Sequence, residues 1–116
     1  MMKPQNNHIN YVELYAADLA AVKSFYHAVF GWAFTDYGPD YAAFSESGLE
    51  GGFEHTNEPI KNGALVILYH ENLEEVKQHV LNSGGSISRD VFSFPGGSRF
   101  HFIDPAGNEL AVWSDK

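Results

Sequence analysis

Among the side chains of this 116-residue chain that can by type move a proton or grip a charge, Glu13, Arg99 and His101 fall on strands with aromatic neighbours. Glu13 can pair a cation, or act as a base where desolvation raises its pKa. His101 can carry a proton near neutral pH. Glu13 and His101 are therefore the catalytic candidates. Arg99 can hold a carboxylate through two parallel hydrogen bonds. Tyr15, Tyr69 and Trp113 can stack on a planar or cationic ligand. Other chemistries lack their residues. With no cysteine there is no thiolate zinc site, no cysteine nucleophile and no disulfide framework. Ser45, Ser47, Ser88, Ser93 and Ser98 have no nucleophile-elbow context. Gly51-Gly52 and Gly96-Gly97 precede no helix and are not phosphate loops. Gly51-Gly52 suits instead the close approach of a backbone or ligand to a strand. His8, His27, His70 and His79 fall on solvated positions.

The elements that must carry these residues are legible as periodicity. Residues 10–16 alternate, with Val12 and Leu14 on one face and Tyr11, Glu13 and Tyr15 on the other, which predicts a strand. Asp18 stands as an N-cap. Leu19, Val22, Phe25 or Tyr26, and Val29 recur at helical spacing, and Gly31 closes the helix. Strands follow near 32–37, 41–46 and 50–55. The second half repeats the plan: a strand over 64–70, then Asn72 with Glu75 as a capping box. A helix with Leu73, Val76, Val80 and Leu81 buried ends at Gly84-Gly85, and strands follow near 86–93, 98–103 and 109–114. At an offset of 54, Tyr15 matches Tyr69, Leu19 Leu73, Val22 Val76, Lys23 Lys77 and Gly31 Gly85.

Composition bounds the partners. Seven basic residues against 15 acidic give a net charge of −8, which argues against nucleic acid and anionic membranes. No apolar run is long enough to span a bilayer, and the opening MMKPQNNH lacks the apolar core of a signal peptide. The expectation is a cytoplasmic protein of one domain. Aromatics are abundant, with nine Phe, six Tyr and two Trp, more than a small core requires.

Two strand–helix–strand–strand–strand modules, Asp18-Leu19 with Phe25-Tyr26 and Phe30-Gly31-Trp32, and the turn Asp104-Pro105-Ala106-Gly107-Asn108-Glu109-Leu110 together resemble the vicinal oxygen chelate superfamily of glyoxalase I, extradiol dioxygenases, and fosfomycin- and bleomycin-resistance proteins. The likeness runs from about Ile9 to Ser114. It implies an α+β fold: two βαβββ modules, about 9–57 and 63–114, forming a curved, cup-shaped mixed sheet with helices outside. It also implies a homodimer. Phe25, Tyr26 and Phe30 are expected on or beside the core face of the first helix.

The resemblance also implies a divalent metal held by His, Glu or Gln. In this chain the corresponding positions fall on Tyr11, Leu65, Ala111 and, near the end of the first module, Glu54 or His55. Leucine and alanine cannot ligate, so the first expectation is no metal cofactor. The alternative is a displaced site of Glu13, His55 and Glu109, with His101, for Zn, Ni, Mn or Fe.

With Val12, Leu14, Val66, Leu68, Phe100, Phe102, Leu110 and Val112 facing the helices, the opposite face carries Tyr11, Glu13, Tyr15, Leu65, Ile67, Tyr69, Arg99, His101, Glu109, Ala111 and Trp113. Aromatic walls with sparse polar groups suit a small-molecule pocket. The ligand-binding candidates are Tyr11, Glu13, Tyr15, His55, Tyr69, Arg99, His101, Glu109 and Trp113. The leading expectation is a metal-independent small-molecule binder. The alternatives are a metal-dependent lyase, isomerase or dioxygenase, and a dimeric interaction domain whose cup is filled by its own side chains. Plainer readings stand beside these: Arg99 neutralising Glu13 or Glu109, and aromatics filling a dimer interface.

Overall fold

The computed structural model describes residues 3–60, 63–105 and 107–116. The fold is α+β, with ten elements in chain order: β1 (Ile9–Ala16), α1 (Leu19–Phe30), β2 (Ala33–Asp36), β3 (Tyr41–Ser45), β4 (Glu50–His55), β5 (Ala64–Tyr69), α2 (Leu73–Asn82), β6 (Ser86–Phe94), β7 (Gly97–Ile103) and β8 (Glu109–Ser114). This is the βαβββ plan twice. The chain forms two compact units, one of Tyr11–Leu65 and one of Met1–Asn10 with Val66–Lys116.

In the unit of Tyr11–Leu65 the strands lie in the order β2-β3-β4-β1. β1 pairs parallel with β4, and β4-β3-β2 run antiparallel. Helix α1 begins where the Asp18 carboxylate accepts from Ala21 N at 3.0 Å. It ends at Gly31, whose φ of 76° is left-handed. Its inner side packs Leu19, Val22 and Tyr26 onto Leu14, Ala16, Phe34, Phe44 and Phe53. Tyr26 stacks on Trp32 with centroids 4.7 Å apart and approaches Phe53 at 5.5 Å. Trp32 closes the core just past the cap, so the last helical turn stays outside. Val29 is 56% exposed, and Phe25 and Phe30 are also exposed. That corrects the expected inward placing of Val29 and assigns the inner position to Tyr26.

In the other unit the order is β5-β8-β7-β6, with β5 parallel to β8 and the rest antiparallel. Asn72 caps α2, accepting from Glu75 N at 3.2 Å. Leu73, Val76, Lys77 and Val80 are its half-buried side. Leu81, expected inward, is 45% exposed. Lys77 takes the inner position instead, laying its aliphatic stem down and pairing with Asp90 of β6 at 2.7 Å. Residues before β1 belong to this unit: Asn7 N donates to Tyr69 O and Tyr69 N to His8 O. The Asp104–Asn108 turn is tied by Asp104, which accepts from Asn108 N at 2.9 Å and from Asn108 Nδ2 at 3.0 Å. Ala106 of that motif lies outside the described residues. No helix among the described residues is long and apolar enough to cross a membrane.

Candidate functional site

Alternation along β1 sends Leu14 and Ala16 to α1 and leaves Tyr11, Glu13 and Tyr15 on the other, open face. Across β4, Tyr11 registers with Glu50, Glu13 with Gly52 and Tyr15 with Glu54. Across β3, Glu54 registers with Tyr41. Glu13 is a carboxylate only 4% exposed. Tyr41 Oη donates to Glu13 Oε2 at 3.2 Å and lies 2.6 Å from Tyr11 Oη. With Tyr41 donating to Glu13, Tyr11 is the donor to Tyr41, which gives a directed chain Tyr11→Tyr41→Glu13. Burial pushes the Tyr41 phenol far above its ordinary pKa, with the Glu13 charge adding to it. Burial raises Tyr11 as well. Both phenols stay protonated and the chain keeps its direction.

Gly52 makes this arrangement possible. A Cβ there would stand 2.5 Å from Tyr41 Oη and 2.6 Å from its Cε1. Tyr41 is a member of this cluster that the sequence reading passed over, and Gly52, read there as admitting a backbone or ligand close to the strand, admits a side chain instead. The alternation Tyr41/Ala43 against Ala42/Phe44 carried a signal for Tyr41. That the Tyr41 ring lies over Gly52, the register partner of Ala43, followed only from the tertiary structure.

In the second unit the face away from the helix carries Tyr69, Arg99, His101, Glu109, Ala111 and Trp113, as the alternation predicts, with Tyr69, His101 and Ala111 buried. Arg99 registers with Trp113, His101 with Ala111 and Tyr69 with Trp113. His101 is 8% exposed, and its Nδ1 lies 3.6 Å from Glu109 Oε2. That carboxylate also accepts from Ser88 Oγ at 2.8 Å. Trp113 donates its Nε1–H to Asn10 Oδ1 at 2.9 Å and meets Tyr69 edge-on at 5.1 Å. Tyr69 donates to Asp115, which pushes its phenol up to about 12 and holds the Asp115 carboxyl below its usual range. Phe92, Phe94 and Arg89 join this face. The sequence reading had not placed them, because β6 does not alternate evenly.

His55 departs from the expected group. It registers with Ala16, on the α1 side of β4, and its Nδ1 lies 3.8 Å from Asp40 Oδ1. Glu13 points from the other face of the same strand pair. Among the described residues, no three His, Asp or Glu gather as metal ligands. Of the positions that the resemblance gives to ligands, Leu65 and Ala111 are buried and apolar, and the Tyr11 hydroxyl is bonded to Tyr41. This donor set does not fit a divalent metal at those positions.

Residues 8–112 match the model of the Glyoxalase/Bleomycin resistance protein/Dioxygenase superfamily. The candidate glyoxylase CFP32 of Mycobacterium tuberculosis is 26% identical over 118 residues, covering 90% of this chain and 44% of that protein. The chain thus spans less than half the length of the curated relatives it matches. Among solved structures, a glyoxalase/bleomycin resistance protein/dioxygenase superfamily member from Vibrio splendidus superposes with a TM-score of 0.69 at 19% identity, covering 90% of this chain and 96% of that one. A Mn(II)-bound glyoxalase from Novosphingobium aromaticivorans superposes with a TM-score of 0.66 at 22% identity, covering 92% of this chain and 38% of that one. At these identities the likeness is one of fold.

Proposed function

The chain belongs to the glyoxalase/bleomycin resistance protein/dioxygenase superfamily, and on that premise we propose that it binds a small organic molecule against its aromatic open faces without the divalent metal of its enzymatic relatives. One observation carries the reading. Leu65 and Ala111, at ligand positions, are buried apolar side chains, while Tyr69, Arg99, His101 and Trp113 surround the same strands. Flat apolar area supplies affinity there, and a few polar groups fix orientation.

Any acid–base role falls to Glu13 and His101. Glu13 is held as an acceptor by the Tyr11–Tyr41 chain, and His101 Nδ1 has Glu109 Oε2 as a neighbour at 3.6 Å. The reading includes a cytoplasmic homodimer, whose mass light scattering measures.

The test uses chelator-treated protein, screened by thermal shift against metabolites and drug-like aromatics. A ligand that binds only the folded state raises the midpoint. The expected result is a hit whose shift is the same with and without added Ni, Zn, Mn or Fe(II), and no stoichiometric metal by elemental analysis. Tight stoichiometric metal that is lost in Glu13→Ala would overturn the reading in favour of a displaced metal site.

A further inference from the structure

Strand β6 pairs unevenly with β7. Ile87 faces Phe102, Arg89 faces His101 and Phe92 faces Arg99, so each interval on β6 holds one residue more than its counterpart. These are two bulges, one on each side of Arg89. In an unbroken strand Arg89 and Phe92, an odd number of residues apart, point to opposite faces. The second bulge cancels that difference and brings the Arg89 guanidinium over the Phe92 ring, 3.6 Å from its centre. Re-aiming a side chain is what bulges do beside functional sites.

The Arg99 guanidinium stands 5.3 Å from the same ring and 6.0 Å from Phe94. Both arginines of a chain with net charge −8 therefore meet around one phenyl ring. Lys23 and Lys77 are spent on Asp36 and Asp90, whereas the side chain that Arg89 meets is a ring. A guanidinium seated over a ring keeps its N–H groups in its own plane, where they match the two oxygens of a carboxylate. Glu109 shares this face, with its carboxylate engaged by Ser88 and beside His101.

We propose that the open face of β6 and β7 binds small planar carboxylates. Arg89 takes the carboxylate, Arg99 adds positive potential beside it, and Phe92 with Phe94 bears the flat body of the ligand. The proposal rests on the small-molecule reading above and names its ligand class.

The probe is benzoate, titrated into chelator-treated protein by calorimetry, with benzamide as the uncharged isostere and benzylamine as the cation. Benzoate is expected to bind, to weaken with salt, and to exceed benzamide by about tenfold or more, as charge-assisted pairing requires. Arg89→Gln is expected to abolish benzoate binding. Arg89→Lys is expected to lose most of it, because an ammonium lacks the planar fork. Arg89 is exposed, and circular dichroism confirms that each variant is folded. Benzamide or benzylamine binding as tightly as benzoate would overturn the proposal. So would Arg89→Gln binding benzoate like the parent, or benzoate failing to bind. If benzoate fails while another small molecule stabilises the metal-free protein, the carboxylate class falls and the ligand-binding reading stands. If nothing in a broad panel binds, both fall.

Discussion

Gly52 is a glycine because a phenol fills the place of its side chain. Tyr41 crosses β4 there to reach Glu13, so Gly52→Ala must displace the ring and break the Tyr11→Tyr41→Glu13 chain. Gly51, one residue earlier, faces the core, and a Cβ there would meet both the Phe44 ring and the Val12 carbonyl. Backbone cannot swing aside as a ring can. Overpacking costs about 1–3 kcal/mol, and Gly51→Ala is expected toward the upper end of that range with Gly52→Ala toward the lower. Urea midpoints measure both, and the reverse order would contradict the packing. Tyr69 gives a pH signature. Its phenol is raised to about 12 by Asp115, so this bond contributes in full below the ordinary phenol value of about 10 and fades as pH rises through the folded value. Asp115, whose pKa is lowered, contributes above the ordinary value of about 3.9 and loses its contribution as pH falls through its folded value. Asp115→Asn is expected to bring the Tyr69 titration down toward the ordinary range, read by ultraviolet absorbance.

At the scale of elements, the two helices start alike because Asp18 and Asn72 do the same work 54 residues apart. Each accepts from the backbone N–H three residues on. Asp18→Ala and Asn72→Ala are each expected to cost about 1 kcal/mol, and Gly31→Ala, at φ 76°, about 1–2 kcal/mol; thermal unfolding ranks all three. The core under α1 is aromatic. Phe53 is 3% exposed and touches Tyr26, Phe34 and Phe44. Truncating it as Phe53→Ala is expected to cost about 3–5 kcal/mol. The aromatic excess thus divides. Tyr26, Trp32, Phe34, Phe44 and Phe53 hold the first unit together, while Tyr11, Tyr15, Tyr41, Tyr69, Phe92, Phe94 and Trp113 stand on strand faces turned away from the helices. Counting aromatics does not separate these roles, and strand parity does.

At the scale of the whole molecule, the proposed metal-free reading makes a prediction about stability. The fold family includes metal enzymes, yet three of the four expected ligand positions here hold a bonded tyrosine, a leucine and an alanine, and only the fourth, Glu54 or His55, has a ligand side chain. Chelation is accordingly expected to leave the unfolding midpoint where it was. A drop that returning Ni, Zn, Mn or Fe(II) restores would show that a metal contributes to folding. The sequence by itself determined the element order, both helix N-caps, the duplicated plan and, within each unit, the strand face on which Tyr11 and Glu13, or Arg99, His101 and Trp113, stand. It could do so because caps and alternation are local, set by neighbours a few residues away. It misplaced Val29 and Leu81, since helical spacing marks a stripe but not how far the sheet beneath it extends. Only the tertiary structure decided that His55 turns to the α1 side and that Gly52 makes room for Tyr41. It also decided that two bulges aim Arg89 at Phe92. Those facts depend on register between strands distant in sequence, and one inserted residue reverses every side chain beyond it.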